Sequence, residues 1–158
     1  MMATVEQTVD IAASPETVWS IIADPSYVPK LAPDILSNEV DPPGLATVGQ
    51  KSRSTAKIAG RKVEVLTEVT EVQPNKKLVF SQRPGGLFKS FSVNITLEPT
   101  KKGTRATQQF RFEPSMGYLG KALSSLLVNR AVKKNAKAFL ANTKEIAELK
   151  EMPKPSSG

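Results

Sequence analysis

Val9-Asp10-Ile11-Ala12-Ala13-Ser14-Pro15-Glu16-Thr17-Val18-Trp19 passes from strand to helix with almost no intervening loop. Upstream, Val5, Val9 and Ile11 share one face of an alternating run, with Glu6, Thr8 and Asp10 on the other; Gln7 interrupts the apolar face. Downstream, Ser14 is a good N-cap and Pro15 suits the first helical position, where the missing N–H costs nothing. Glu16 places negative charge in the first turn, where the helix dipole favours it. The helix carries Val18, Trp19, Ile21 and Ile22 and ends near Asp24-Pro25. A second short helix, Tyr27 to Leu31, ends at Ala32-Pro33, because a residue before proline avoids the helical region.

Beyond Ile35 the pattern changes from helical to alternating. Asp41-Pro42-Pro43-Gly44 is a turn cluster. From Gln50 to Ala59, Ser52, Ser54, Ala56 and Ile58 read as inward, and Lys51, Arg53, Thr55 and Lys57 as outward. Ala59-Gly60 marks a tight hairpin. In the next strand Val63, Val65, Thr67 and Val69 alternate with Glu64 and Glu68. Lys77 to Arg83 forms a further strand. After Pro84-Gly85-Gly86, Phe91, Val93, Ile95 and Leu97 share a face; after Lys101-Lys102-Gly103, Ala106, Gln108, Phe110 and Phe112 do. From Gly117 to Lys150 there is no proline, and Val128, Val132, Phe139, Ile146 and Leu149 recur at helical spacing.

Strands joined by short turns pair antiparallel, and one long helix with one apolar stripe must cover the face of that sheet. The fold class is therefore α+β: a curved antiparallel sheet of about seven strands around a long C-terminal helix, with two short helices after the first strand. The expected domain is 3–150, followed by a disordered tail, 151–158.

The chain has 158 residues, with no cysteine and no histidine. Disulfides, thiolate nucleophiles, imidazole bases and the usual zinc sites are therefore excluded, and the sequence predicts no metal site and no cofactor. The apolar fraction of 39% and charged fraction of 23% are those of an ordinary globular domain. Residues Met1–Gln7 lack the basic-then-apolar pattern of a secretory leader, and no run approaches the ~20 apolar residues that span a bilayer; the expectation is a cytoplasmic protein. The net charge of +7 favours acidic partners. Its densest source, Arg130, Lys133, Lys134 and Lys137, lacks interleaved stacking aromatics. It reads as a solvated helix face, and no nucleic-acid partner is expected.

The order of elements, the stretch Val9–Trp19, Ile22-Ala23-Asp24-Pro25, Tyr27, Gly49, Gly117-Tyr118-Leu119-Gly120 and the trio Asn135, Phe139 and Leu140 resemble the START-like (Bet v1-like, SRPBCC) superfamily, and within it the polyketide cyclase/dehydrase-like group. The likeness runs from about Thr4 to Leu149. It implies a helix-grip fold with a cavity between sheet and long helix, opened at one end by the short helices and strand-connecting loops. The lining it implies is Trp19, Ile22, Tyr27, Leu31, Phe80, Phe91, Val93, Gln108, Phe110, Leu123, Leu127, Val128, Val132 and Phe139; the same residues also suit a filled core. The small inward side chains Ser52, Ser54, Ala56, Ala131 and Ala138 argue for space.

Three functions follow from the resemblance. One is binding of a hydrophobic small molecule or lipid. Another is a polyketide cyclase/dehydrase-like enzyme acting on an aromatic or polyene substrate. The third is a regulatory or toxin-like protein acting through a partner. No catalytic constellation is evident, since Glu64, Glu68, Asp24 and Asp34 fall on no inward face; Tyr27, Gln108 or Arg83 remain as positioning groups. Gln108 is a polar intrusion on an apolar face, and a buried amide without partners costs ~1–3 kcal/mol. It either orients a ligand or bonds to a neighbouring strand or water. Residues 84–88 read as a hairpin turn or as a gate with an apolar tip, Leu87-Phe88. With Leu119, Leu123, Lys89 and Lys121 that tip forms a rim suited to transient contact with an anionic membrane.

Overall fold

A side-chain period of two dominates residues 3–11 and 35–114, and the computed structural model forms strands there. It describes residues 3–58, 60–84, 88–114 and 125–152. The strands are β1 (Ala3–Ile11), β2 (Ile35–Asp41), β3 (Lys51–Ile58), β4 (Arg61–Gln73), β5 (Lys77–Gln82), β6 (Phe88–Thr100) and β7 (Gly103–Pro114). They make one seven-stranded sheet in the order β1-β7-β6-β5-β4-β3-β2. Every pair is antiparallel. Register shifts at Ile35/Ser37, Val69/Glu71 and Phe88/Ser90 interrupt the ladders, and irregularities of this kind bend and twist a sheet locally.

Helix α1 (Pro15–Ile22) begins as its sequence dictates. Ser14 is the N-cap and its Oγ accepts from the Thr17 backbone N–H at 3.2 Å. A 3-10 turn (Pro25–Tyr27) follows, started by Asp24, whose carboxylate accepts from the Ser26 N–H at 3.0 Å. Helix α2 (Val28–Leu31) ends at Ala32. Helix α3 runs from Ser125 to Glu151, so Glu151 belongs to the helix rather than to a tail. Residues 153–158 of the expected tail lie outside the described residues, as do 115–124, which include the expected start of the long helix.

The sheet's inner face and the helices enclose one apolar cluster. Val18, Ile21, Leu31, Val93, Ile95, Phe112, Val128 and Ala136 are among its most deeply buried members. The stripe on α3 is Val128, Val132, Ala136, Phe139, Leu140, Thr143 and Ala147. Leu149 does not belong to it and is 62% exposed. At about 100° per residue it points roughly 120° away from Thr143, the middle of the stripe. Arg130, Lys133, Lys134 and Lys137 are all exposed, as a solvated face requires.

Helix α3 does not lie over the middle of the sheet. Among the described residues it packs chiefly on β1, then on α1 and α2, and only lightly on β7. Among the described residues α2 and the 3-10 turn reach the far edge strand β2, while β3, β4 and β5 between have at most marginal helix contact, and that asymmetry positions the site.

Candidate binding cavity

Between α3 and the sheet lies a cavity of about 200 Å³. An apolar cavity of ~150 Å³ already takes up a benzene-sized ligand. Its walls come from Val65, Val69, Leu78, Phe80, Phe91, Val93, Ile95 and Phe110 on the sheet and from Ala131, Val132, Asn135 and Phe139 on α3. The space exists because the facing side chains are short. Strand β3 turns Ser52, Ser54 and Ala56 toward it, and α3 presents Ala131. Ala138 is not on its wall.

Pro25, Val28 and Ala32, and Ala46 of the β2–β3 loop, also line the cavity. That loop is tied down twice. Gln50, 3% exposed, donates from Nε2 to the carbonyls of Pro42 (2.9 Å) and Gly44 (3.0 Å), and the Ala46 N–H donates to the Ala23 carbonyl at 2.8 Å. Leu45 and Val48, either side of Ala46, are exposed.

Of the fourteen residues expected to line a cavity, Ile22, Phe80, Phe91, Val93, Gln108, Phe110, Val132 and Phe139 are on its wall. Trp19, Tyr27, Leu31 and Val128 are not. Leu31 and Val128 are fully buried core residues, and α2 is held on α3 by Asn142, whose Nδ2 donates to the Leu31 carbonyl at 3.0 Å. Trp19 packs part-buried against the core. Tyr27 faces the end of α3: the Lys30 and Lys150 ammonium groups stand 5.7 and 5.6 Å from its ring centre, a cation–π arrangement. Leu123, and the side chain of Leu127, lie outside the described residues.

The expected apolar tip is corrected at Phe88. That ring is buried, stacked on Phe91 at 5.4 Å and edge-on to Phe112 at 5.7 Å. The Gln82 amide holds it there, accepting from the Phe88 N–H (2.9 Å) and donating to the Phe88 carbonyl (2.6 Å). Gly85, Gly86, Leu87, Leu119 and Lys121 lie outside the described residues. Arg83 ties β5 to β3, its guanidinium donating to the Ser52 carbonyl at 3.3 Å.

Most polar side chains on the wall are satisfied. The Ser52 and Thr67 hydroxyls bond to each other, and Ser54 Oγ donates to Asn38 Oδ1 at 2.8 Å. Two are not. Gln108 Oε1 and Asn135 Oδ1 are buried and have no hydrogen-bond partner among the described residues. Asn135 is absent from the lining expected of the sequence, although it lies three residues after Val132 and four before Phe139, on the same face of the helix. Asp34 and Lys57 are the charged side chains on the wall, and Lys57 is exposed.

The groups whose titration is displaced lie elsewhere. Glu148 is held below the usual glutamate range by the Ala12 N–H and by Lys144. Glu151 is lowered by the Thr17 hydroxyl and the Ser14 N–H. Arg105 is raised by Asp10, 3.0 Å away. Among the described residues no cluster of three or more acidic side chains offers a metal site, and no helix is long and apolar enough to cross a membrane.

Solved structures share this architecture over nearly all of the chain. The Zhui aromatase/cyclase from Streptomyces sp. R1128 aligns with a TM-score of 0.80 at 19% identity, covering 100% of this chain and 99% of that one. A protein from Thermus thermophilus gives 0.76 at 23% identity, covering 96% and 99%. A START superfamily protein from Mycobacterium smegmatis gives 0.72 at 18%, covering 92% and 97%. At these identities the likeness establishes the fold, a START-type helix grip, and nothing finer. No protein with a curated description matches the sequence significantly. The model of the family described as polyketide cyclase / dehydrase and lipid transport matches residues 2–148. The chain belongs to that family.

Proposed function

We propose that this protein binds a hydrophobic small molecule or lipid in the cavity between α3 and strands β2 to β7. The observation that carries the reading is the hollow itself: about 200 Å³ walled mainly by Val, Ile, Leu and Phe, opposite a row of Ser and Ala too short to fill it. Each methylene moved from water into such a space contributes ~0.8 kcal/mol, so a ring or a short chain supplies enough driving force, and a few polar groups suffice to orient it.

Native mass spectrometry of gently purified protein tests this. The expected result is a bound small molecule that is lost on denaturation and replaced, after stripping, by an added environment-sensitive apolar dye. Stripped protein that takes up no apolar probe at any concentration below its solubility limit overturns the reading. Cyclisation of a polyketide by positioning alone is the second reading. The two amide oxygens on the wall that lack a partner among the described residues speak for it, and a ligand recovered chemically changed after incubation distinguishes it from carriage.

A further inference from the structure

The polar side chains on the cavity wall divide into two groups. Those from β2, β3 and β4 satisfy one another: Ser52 with Thr67, and Ser54 with Asn38. Gln50 is used by the loop carbonyls. Gln108 on β7 and Asn135 on α3 are left over, each with a buried side-chain oxygen that accepts nothing among the described residues. Gln108 is 3% exposed, and its surroundings do not serve it. Ala106 and Phe110 flank it on its own strand, and Ile95 and Gln7 are its register partners on β6 and β1. Asn135 sits on α3 between Val132 and Phe139, both cavity-lining. An unpaired buried acceptor costs stability, and an apolar replacement of similar shape would not. Both residues line the same cavity.

We propose that the ligand carries a hydroxyl-type hydrogen-bond donor on an apolar ring body, and that the side-chain amides of Gln108 and Asn135 hold that hydroxyl, the oxygen of one accepting its hydrogen. This rests on the binding reading above and adds the chemistry of the ligand's polar end. A pure hydrocarbon leaves both oxygens unpaired and displaces any water that served them. An ionised carboxylate brings acceptors only, and the one cationic side chain on the described wall, Lys57, is exposed at its edge. A hydroxyl both donates and accepts, so it meets an amide in either rotation. The rings of Phe80, Phe91 and Phe110 on the same wall suit a flat aromatic body.

A matched series tests it: naphthalene, 2-naphthol and 2-naphthoate, titrated at neutral pH by fluorescence against the wild-type chain, Gln108→Leu, Asn135→Leu and the double variant. The expected result is 2-naphthol binding the wild type about tenfold more tightly than naphthalene. That preference falls in each single variant and vanishes in the double one, in which naphthalene binds at least as tightly as in the wild type. Gln108→Leu should unfold at or above the wild-type temperature because it removes an unpaired acceptor; should it fail to fold, Gln108→Met is its replacement. Naphthalene binding with no preference for the naphthol, a preference that survives the double substitution, or tightest binding of the naphthoate each overturns the inference and leaves the binding reading intact. Failure of all three probes to bind the wild type removes the binding reading itself.

Discussion

Gly103 opens β7 at φ +150°, in a region that side chains rarely adopt, and the space where a Cβ would stand is already occupied. An added Cβ meets the Ala13 N and O at 2.7 and 2.9 Å, and the Ile11 carbonyl closer still. These are backbone atoms at the junction of β1 and α1, where the fully buried Thr104 also donates to the Ala13 carbonyl at 2.7 Å. Gly103→Ala is therefore expected to destabilise the fold by about 2 kcal/mol or more, read as a lower midpoint in urea with an unchanged slope. A midpoint equal to the wild type would show that the junction yields freely. At this scale the sequence is unevenly legible. Gln108 announces itself because a polar residue interrupts a strand face whose other members are Ala106, Phe110 and Phe112. Asn135 is quieter, since a polar residue on a helix is ordinarily outside; its spacing of three and four from Val132 and Phe139 is the one local sign that it faces inward. Trp19 and Tyr27 mislead for the opposite reason. Apolar character places a residue near the core, but which side of a short helix or 3-10 turn meets a hollow depends on how that segment docks.

The junction between α1 and the end of α3 acts at the level of elements. Glu148 accepts from the Ala12 N–H at 2.8 Å and from Lys144, four residues earlier. Glu151 accepts from the Ser14 N–H at 2.9 Å and the Thr17 hydroxyl at 2.7 Å. The last turn of the long helix thus supplies anionic acceptors to the N-terminus of the short one, where unpaired N–H groups and the dipole both favour negative charge. Both carboxyls titrate below their ordinary value of 4.5 in the folded chain. A lowered folded-state pKa means that the unfolded chain binds the proton more readily, so the stabilisation is complete above pH 4.5 and is lost as pH falls through the folded-state values. The variant Glu148→Gln/Glu151→Gln should accordingly melt below the wild type at pH 7, and the gap should close under acid. A gap that does not narrow at all as pH is lowered from 7 to below 4.5 would show that charge is not what the clamp uses. Before folding, the only hint of this junction is the acidic character of the last turn. Two groups more than 130 residues apart share no local pattern, whereas the strands, whose alternation is local, are readable almost to their ends.

For the whole molecule the decisive fact is the lateral placement of α3. It rests on β1 and the short helices and leaves the opposite half of the sheet facing a hollow. Filling that hollow should separate stability from function. Ala131→Leu is expected to raise stability by about 1 kcal/mol, as cavity-filling changes commonly do, while abolishing uptake of an apolar dye; a variant that binds the dye as the wild type does would put the site elsewhere. The existence of space is legible in Ser52, Ser54 and Ala56, because their small size and their alternation are both written locally, but its boundaries are not, because they depend on the angle at which the helix crosses. The sheet order has one further effect. Every neighbour in the sheet is also a neighbour in the chain except the pair β1 and β7, in which Ala3 meets Phe112 and Ile11 meets Thr104. On the ribosome, the hairpins from β2 to β7 can zip up one after another as they emerge. The first strand to be made waits through roughly a hundred residues of synthesis with no mate. Pairing β1 with β7 is then the late, slow event, and until it happens the nascent protein carries an unclaimed strand for which chaperones and aggregation compete.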